Sequence, residues 1–171
     1  MAEAAPQERL QPALLDRLTD DEPDKKVEGS DKRVLTKSQL RQAVLRDLAW
    51  LFNTTRLESG EDLSSTPLVQ KSILNFGLPA LAGETAASLD PTDLERAVRE
   101  AILAYEPRIL PASLRVRTIV TETQLDQHNV ISVQIEGFLW AQPVPLELLL
   151  RTEVDLETGR VEITDLAGSR A

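Results

Sequence analysis

The stretch LERAVREAILAYEPRILPASLRVRTIV, residues 94–120, changes its apolar period partway through. In its first half Leu94, Ala97, Val98, Ala101, Ile102 and Tyr105 recur every three or four residues, the stripe of a helix buried on one side. Asp90 stands where a cap is wanted and Pro91 at the first helical position, where its missing N–H costs nothing. Asp93 falls in the first turn, where a negative charge suits the helix dipole. The helix must end by Glu106, because the residue before Pro107 is pushed out of the helical region. Past Arg108 the period drops to two: Leu114, Val116, Thr118 and Val120 alternate with Arg115 and Arg117, the pattern of a strand with one apolar face.

Upstream of this switch the signals are helical. Thr36 and Gln39 have capping-box spacing. Leu40, Val44, Leu48 and Leu51, with Ala43, Leu45 and Phe52, give an apolar face that stops near Asn53. A second helix is predicted with Ser65 or Thr66 as cap and Pro67 in its first turn. Val69, Ile73 and Phe76 form its stripe, and Gly77 and Pro79 end it. Downstream the signals are those of strands. Ile131, Val133 and Ile135 alternate with polar neighbours, and Leu146, Leu148, Leu150 and Thr152 do the same. Asp126 to Asn129 read as a hairpin loop, Pro143 and Pro145 as a turn, and Glu157-Thr158-Gly159 as a further turn before a short edge strand at Val161 and Ile163. Helices first and strands afterwards predict an α+β fold: about three helices packed on one face of a small antiparallel sheet of three to four strands.

The flanks are polar. Leu10, Leu14, Leu15 and Leu18 lie at helical spacing, and the run from Thr19 to Arg33 is too charged to bury itself. Residues 1–33 therefore read as a short helix on a charged linker, 34–166 as the domain and 167–171 as a tail. The leucine stripe either folds back on the domain or docks on another protein. An apolar fraction of 42% allows a core, but aromatics are only 4%, so it must be built from aliphatic side chains. The 28 acidic residues outweigh 19 Lys and Arg, which argues against a nucleic-acid partner. There is no Cys, which removes disulfides and thiolate ligands and fits a reducing compartment. The first fifteen residues lack the pattern of a signal peptide, and no apolar run approaches the length of a membrane span, so no membrane insertion is expected.

Catalytic chemistry lacks its usual parts. The single histidine, His128, falls in the expected hairpin loop among polar neighbours. No Gly-rich loop cradles a phosphate and no His–carboxylate cluster suggests a metal, so no cofactor is expected. A peptidoglycan-degrading, lysozyme-like hydrolase needs only two carboxylates, one of them raised in pKa. The acidic residues here fall in helix first turns, linkers and polar strand faces, and aromatic platforms for a sugar are scarce. Glu106-Pro107-Arg108 stands apart. Pro107 fixes the backbone where the helix ends, so Glu106 and Arg108 leave a rigid corner in set directions. The pair either presents Arg108 for a bidentate contact with a partner, or closes the helix end as an internal salt bridge. On the first reading, Arg108→Ala leaves the fold intact.

Several segments resemble one family. Val44-Leu45-Arg46-Asp47-Leu48-Ala49-Trp50-Leu51-Phe52-Asn53-Thr54 looks like the first-helix signature of TssE, the baseplate wedge family of the type VI secretion system. Ser72-Ile73-Leu74-Asn75-Phe76-Gly77-Leu78-Pro79 resembles its second signature, and Tyr105-Glu106-Pro107-Arg108-Ile109 its Glu-Pro-Arg segment. Leu14-Leu15-Asp16-Arg17-Leu18 is similar to its N-terminal element. The resemblance implies a structural, non-enzymatic protein in a cytoplasmic baseplate docked at the inner membrane complex. It implies a wedge shared with TssF and TssG, near TssK, and a sheet edge that seeds the TssB–TssC sheath by strand addition. The implied partner-binding residues are Glu106, Pro107 and Arg108, with Leu14, Leu15, Arg17 and Leu18 in the N-terminal element. A small solitary adaptor is the remaining alternative.

Overall fold

The computed structural model describes residues 13–18, 24, 35–84, 89–119, 129–141 and 143–167. Within them lie helices α1 (Leu14–Leu18), α2 (Lys37–Phe52), α3 (Pro67–Gln70) and α4 (Pro91–Tyr105). Strands β1 (Arg115–Ile119), β2 (Val130–Leu139), β3 (Leu146–Asp155) and β4 (Val161–Asp165) follow. The strands form one antiparallel sheet in the order β1-β2-β3-β4. This is the α+β fold that the change of period predicts.

Local chemistry sets the two long helices. Thr36 Oγ1 accepts from the Gln39 N–H at 3.2 Å and Gln39 Oε1 accepts from the Thr36 N–H at 2.9 Å, closing a capping box on α2. Asp90 Oδ1 accepts from the Thr92 N–H at 2.8 Å, with Pro91 opening α4. Leu40, Val44, Leu48 and Leu51 of α2 and Leu94, Val98 and Ile102 of α4 join the sheet's Ile131, Val133, Ile135, Leu148, Leu150 and Val154 in one core. Burying these side chains supplies the drive to fold, at about 25 cal/mol per Å² of apolar surface.

The expected second helix does not form as one piece. It breaks into α3, a single turn, and a 3-10 turn over Ile73–Asn75. Two polar side chains compete with the helix ladder there. Ser72 Oγ accepts from the Leu74 N–H, and Asn75 turns inward to donate to the Gln70 carbonyl. Ile73, expected on the buried stripe, is 79% exposed, and the Thr66 hydroxyl caps nothing. The expected hairpin loop at 126–128, with His128, and the strand residue Val120 lie outside the described residues. So does nearly all of the polar run 19–33.

Both sheet edges are met by a neighbouring helix. The Leu166 N–H donates to the Leu149 carbonyl and the Asp155 N–H to the Arg160 carbonyl, so even-numbered residues of β4 face β3. Val161 and Ile163 therefore turn their N–H and C=O outward. Asn53, the residue that ends α2, accepts from the Val161 N–H at 3.0 Å and donates to its carbonyl at 2.9 Å. At the other edge Glu95 of α4 accepts from the Thr118 N–H at 2.6 Å and Arg99 donates to the Leu114 carbonyl. Such cover blunts edges that would otherwise pair with any extended chain.

A candidate docking site at the end of the fourth helix

The last turn of α4 closes when the Glu106 N–H donates to the Ile102 carbonyl at 2.8 Å. Glu106 then leaves the helical region (φ −121, ψ 78). Its side chain turns inward and is 3% exposed. Arg108 folds back over it. The Arg108 backbone N–H and Nε donate to Glu106 Oε1 at 3.0 and 2.7 Å, and Nη2 donates to Oε2 at 2.5 Å. Nη2 also donates to Asp47 Oδ2 on α2 at 2.5 Å. Asp47 Oδ1 accepts from Arg46 Nε at 2.9 Å, and Arg46 Nη1 donates to Asp16 Oδ1 of α1 at 2.6 Å. Five charged side chains thus run from α1 across α2 to the corner after α4.

The electrostatics follow this geometry. Burial pulls the Arg108 guanidinium down, but hydrogen bonds to Glu106 and Asp47 outweigh it and hold the group above its ordinary value. The bond to Asp16, aided by Asp47, likewise raises Arg46 against burial. The Arg46 guanidinium also lies 5.2 Å from the ring centroid of Trp50, in cation–π range. Both arginines are fixed cations whose direction is set by the residues around them.

The sequence-predicted residues separate into two kinds. Glu106 is an internal brace: both its oxygens are occupied by Arg108. The Nε–Nη2 edge of Arg108, the edge suited to a bidentate contact with a partner, is taken up by that brace. Nη1 is buried without a hydrogen-bond partner, while the side chain as a whole is 22% exposed. Pro107 is exposed. On α1, Asp16 turns toward Arg46, whereas Leu14, Leu15 and Leu18 are 71%, 46% and 73% exposed and Arg17 is exposed. Sequence reasoning missed Asp16, Arg46 and Asp47 as members of this site. It also missed Trp140, half-exposed, whose backbone N–H donates to the Arg108 carbonyl at 2.7 Å. Asp47 and Arg46 carried a faint signal, as adjacent opposite charges on an amphipathic helix, off its apolar stripe.

A second corner supports the first. The Leu78 N–H donates to the Thr54 carbonyl and the Arg56 N–H to the Leu78 carbonyl, both at 2.8 Å. The end of α2 is thereby locked to the Gly77-Leu78 corner. Gly77 sits at φ 128 with the Thr54 carbonyl where a Cβ would go, so only glycine fits. Phe76 packs edge-on against Tyr105 with ring centroids 5.1 Å apart, and Tyr105 Oη donates to the Ser72 carbonyl at 2.9 Å.

Among the described residues no group of three or more His, Cys, Asp or Glu is placed to hold a metal ion. The one buried carboxylate there, Glu106, is held in an ion pair. The arrangement is suited to presenting a rigid surface. A family model described as baseplate wedge protein gp25 matches residues 38–144, more than half of the chain. It takes in α2 from its second residue, both corners, α4, β1 and β2, and leaves α1, β3 and β4 outside. No curated protein and no solved structure matches the chain.

Proposed function

Because the chain belongs to the family of baseplate wedge protein gp25, which is also the family of TssE, we propose that it is a structural component of the type VI secretion baseplate. In this reading it joins a wedge with TssF and TssG, close to TssK, and starts assembly of the TssB–TssC sheath. The family match over residues 38–144 carries the reading. A structural, non-catalytic role agrees with the family, and the lysozyme-like alternative is not favoured.

Pro107 and Arg108 are the proposed wedge contact, with Glu106 as the brace that aims Arg108. The exposed Leu14, Leu15 and Leu18 of α1, flanked by Arg17, form a second contact on a tether. The sheath strand adds at a sheet edge, where it must displace Asn53 on β4 or Glu95 and Arg99 on β1. The assembly sits in the cytoplasm, docked at the inner membrane complex. No helix among the described residues is long and apolar enough to cross a membrane.

Co-expression tests this. The full chain is expected to copurify with TssF and TssG, and Arg108→Lys, which keeps the charge but loses the fork that fixes residue 108 on Glu106, to copurify roughly tenfold less while still folded. Undiminished assembly by that variant sinks the corner as a contact. Failure of the unaltered chain to associate sinks the wedge reading. Turnover of peptidoglycan that disappears when one carboxylate is replaced would favour the hydrolase instead.

A further inference from the structure

Asp47 has two carboxylate oxygens and two arginines to serve. Its Oδ2 accepts from Arg108 Nη2 at 2.5 Å. Its Oδ1 accepts from Arg46 Nε at 2.9 Å, and Arg46 Nη2 lies 2.9 Å from that same oxygen. Arg46 Nη2 is nonetheless buried without a hydrogen-bond partner. A guanidinium edge is best satisfied by a fork, with Nε on one carboxylate oxygen and Nη2 on the other. Here Arg108 holds the second oxygen. The other end of Arg46 keeps it from competing: Nη1 donates to Asp16 Oδ1 at 2.6 Å.

Asp16 stands on α1, in which no residue is buried. Its Oδ2 accepts from the Ala13 N–H at 3.3 Å, so one carboxylate both ties the start of α1 and seats the helix on α2. The seat is shallow. The Arg46 and Asp16 side chains are 35% and 14% exposed, and pairs in reach of water hold weakly. Arg46 and Asp47 are fixed on α2, and Arg108 is clamped to Glu106, so α1 is the member of the network that can leave. The exchange that follows is nearly even: one bond to Oδ2 replaces another, and Arg46 Nη2 gains the partner it lacks. A small bias therefore decides it.

We propose that Asp47 is a switch point that couples the seating of α1 to the bracing of the Glu106–Arg108 corner. With α1 seated, Asp16 draws Arg46 away and Oδ2 is left to Arg108, so the corner is strutted against α2. With α1 released, Arg46 closes its fork on both oxygens of Asp47. Arg108 then keeps Glu106 alone and the corner loses its strut. The coupling is reciprocal: a partner that grips the corner in its braced direction also favours the seated α1. The two proposed wedge contacts then act as one cooperative surface. That consequence rests on the wedge reading, whereas the switch is a property of the free chain.

Proton–nitrogen NMR of the full chain, without a partner, reads the switch through the guanidinium protons of Arg108. In Asp16→Asn, which removes the charge that holds Arg46 back, these protons are expected to exchange with water roughly threefold to tenfold faster with the fold intact. Arg46→Met removes the competitor and leaves Oδ2 to Arg108. Adding Asp16→Asn to that variant is expected to change the Arg108 exchange by less than about twofold. Arg108 protons that Asp16→Asn alone leaves unchanged overturn the switch. So does an acceleration that persists in the Arg46→Met background, because the effect would then bypass Arg46. Neither outcome touches the wedge reading, which fails separately if the unaltered chain does not associate with TssF and TssG.

Discussion

Asp47 on the outer side of α2 and Arg108 after α4 meet at 2.5 Å across 61 positions of the chain. Asp47 gives its other oxygen to Arg46, so one carboxylate aligns two guanidinium groups. Arg108 is less than a quarter exposed and its partner Glu106 is buried. The pair therefore belongs with buried ion pairs, which resist the removal of one partner, and not with surface pairs worth ~0–1 kcal/mol. The direction in which the corner points is a property of the folded core, inherited from α2 as much as from α4.

This changes what Arg108→Ala does. The corner read as sequence suggests that the substitution spares the fold. In the structure it strands the Glu106 carboxylate with 3% exposure. Stability is expected to fall by about 3 kcal/mol, with the range for such losses near 3–5 kcal/mol. Adding Glu106→Gln removes the stranded charge and is expected to restore about half of that loss. Urea unfolding of the two variants beside the unaltered chain measures both. Equal stability of the single and double variants would show that Glu106 does not depend on Arg108.

Gly77→Ala tests the second corner. The residue sits at φ 128 and a Cβ would run into the Thr54 carbonyl. Backbone strain and a clash with main chain together are expected to cost about 3 kcal/mol or more. The exposed Gly60, with open space around its Cα, is the control, and Gly60→Ala is expected to stay within about 0.5 kcal/mol of the unaltered chain. Thermal unfolding separates them. Similar melting temperatures for the two variants would mean that the corner moves freely.

What the sequence disclosed follows from how local each signal is. The α2 capping box, the Asp90-Pro91 start of α4 and the switch to period two are written in adjacent residues, and these elements form where expected. The helix over 65–76 was misread because Val69, Ile73 and Phe76 mimic a stripe. The deciding bonds run instead from Asn75 to Glu58 and Gln70 and from Tyr105 to Ser72, which spacing cannot display. The corner was found through Pro107, a local feature. Its brace to Asp47 was not, because 61 positions separate the partners.

Asn53→Ala tests the guarded edge. The Asn53 side chain holds both outward backbone groups of Val161 and also donates to the Ala49 carbonyl at 2.8 Å. Those groups regain water when it is removed, so the expected loss is modest, about 1–2 kcal/mol. The larger effect is on association. β4 would then offer the Val161 pair beside the outward pair of Ile163, a longer template for an added strand. Sedimentation velocity is expected to show concentration-dependent dimers or larger species that the unaltered chain lacks. A variant that is destabilised yet strictly monomeric would assign Asn53 to stability alone.

The N-terminal helix yields the last test. No residue of α1 is buried, and Asp16 ties it to the domain through its pair with Arg46. Replacing Leu14, Leu15 and Leu18 together with Ser removes apolar surface that is mostly in water, with Leu15 the most covered at 46% exposed, so stability is expected to change by less than about 1 kcal/mol. If those leucines are the tethered contact, copurification with TssF and TssG falls roughly tenfold in the same variant. Asp16→Asn provides the contrast. It loosens the tether while keeping the leucines, so it is expected to leave stability within ~1 kcal/mol and to weaken copurification less than the triple replacement. A triple variant that melts well below the unaltered chain would mean that the leucines pack on the domain. A triple variant that melts normally and copurifies fully would leave α1 without a role in the wedge.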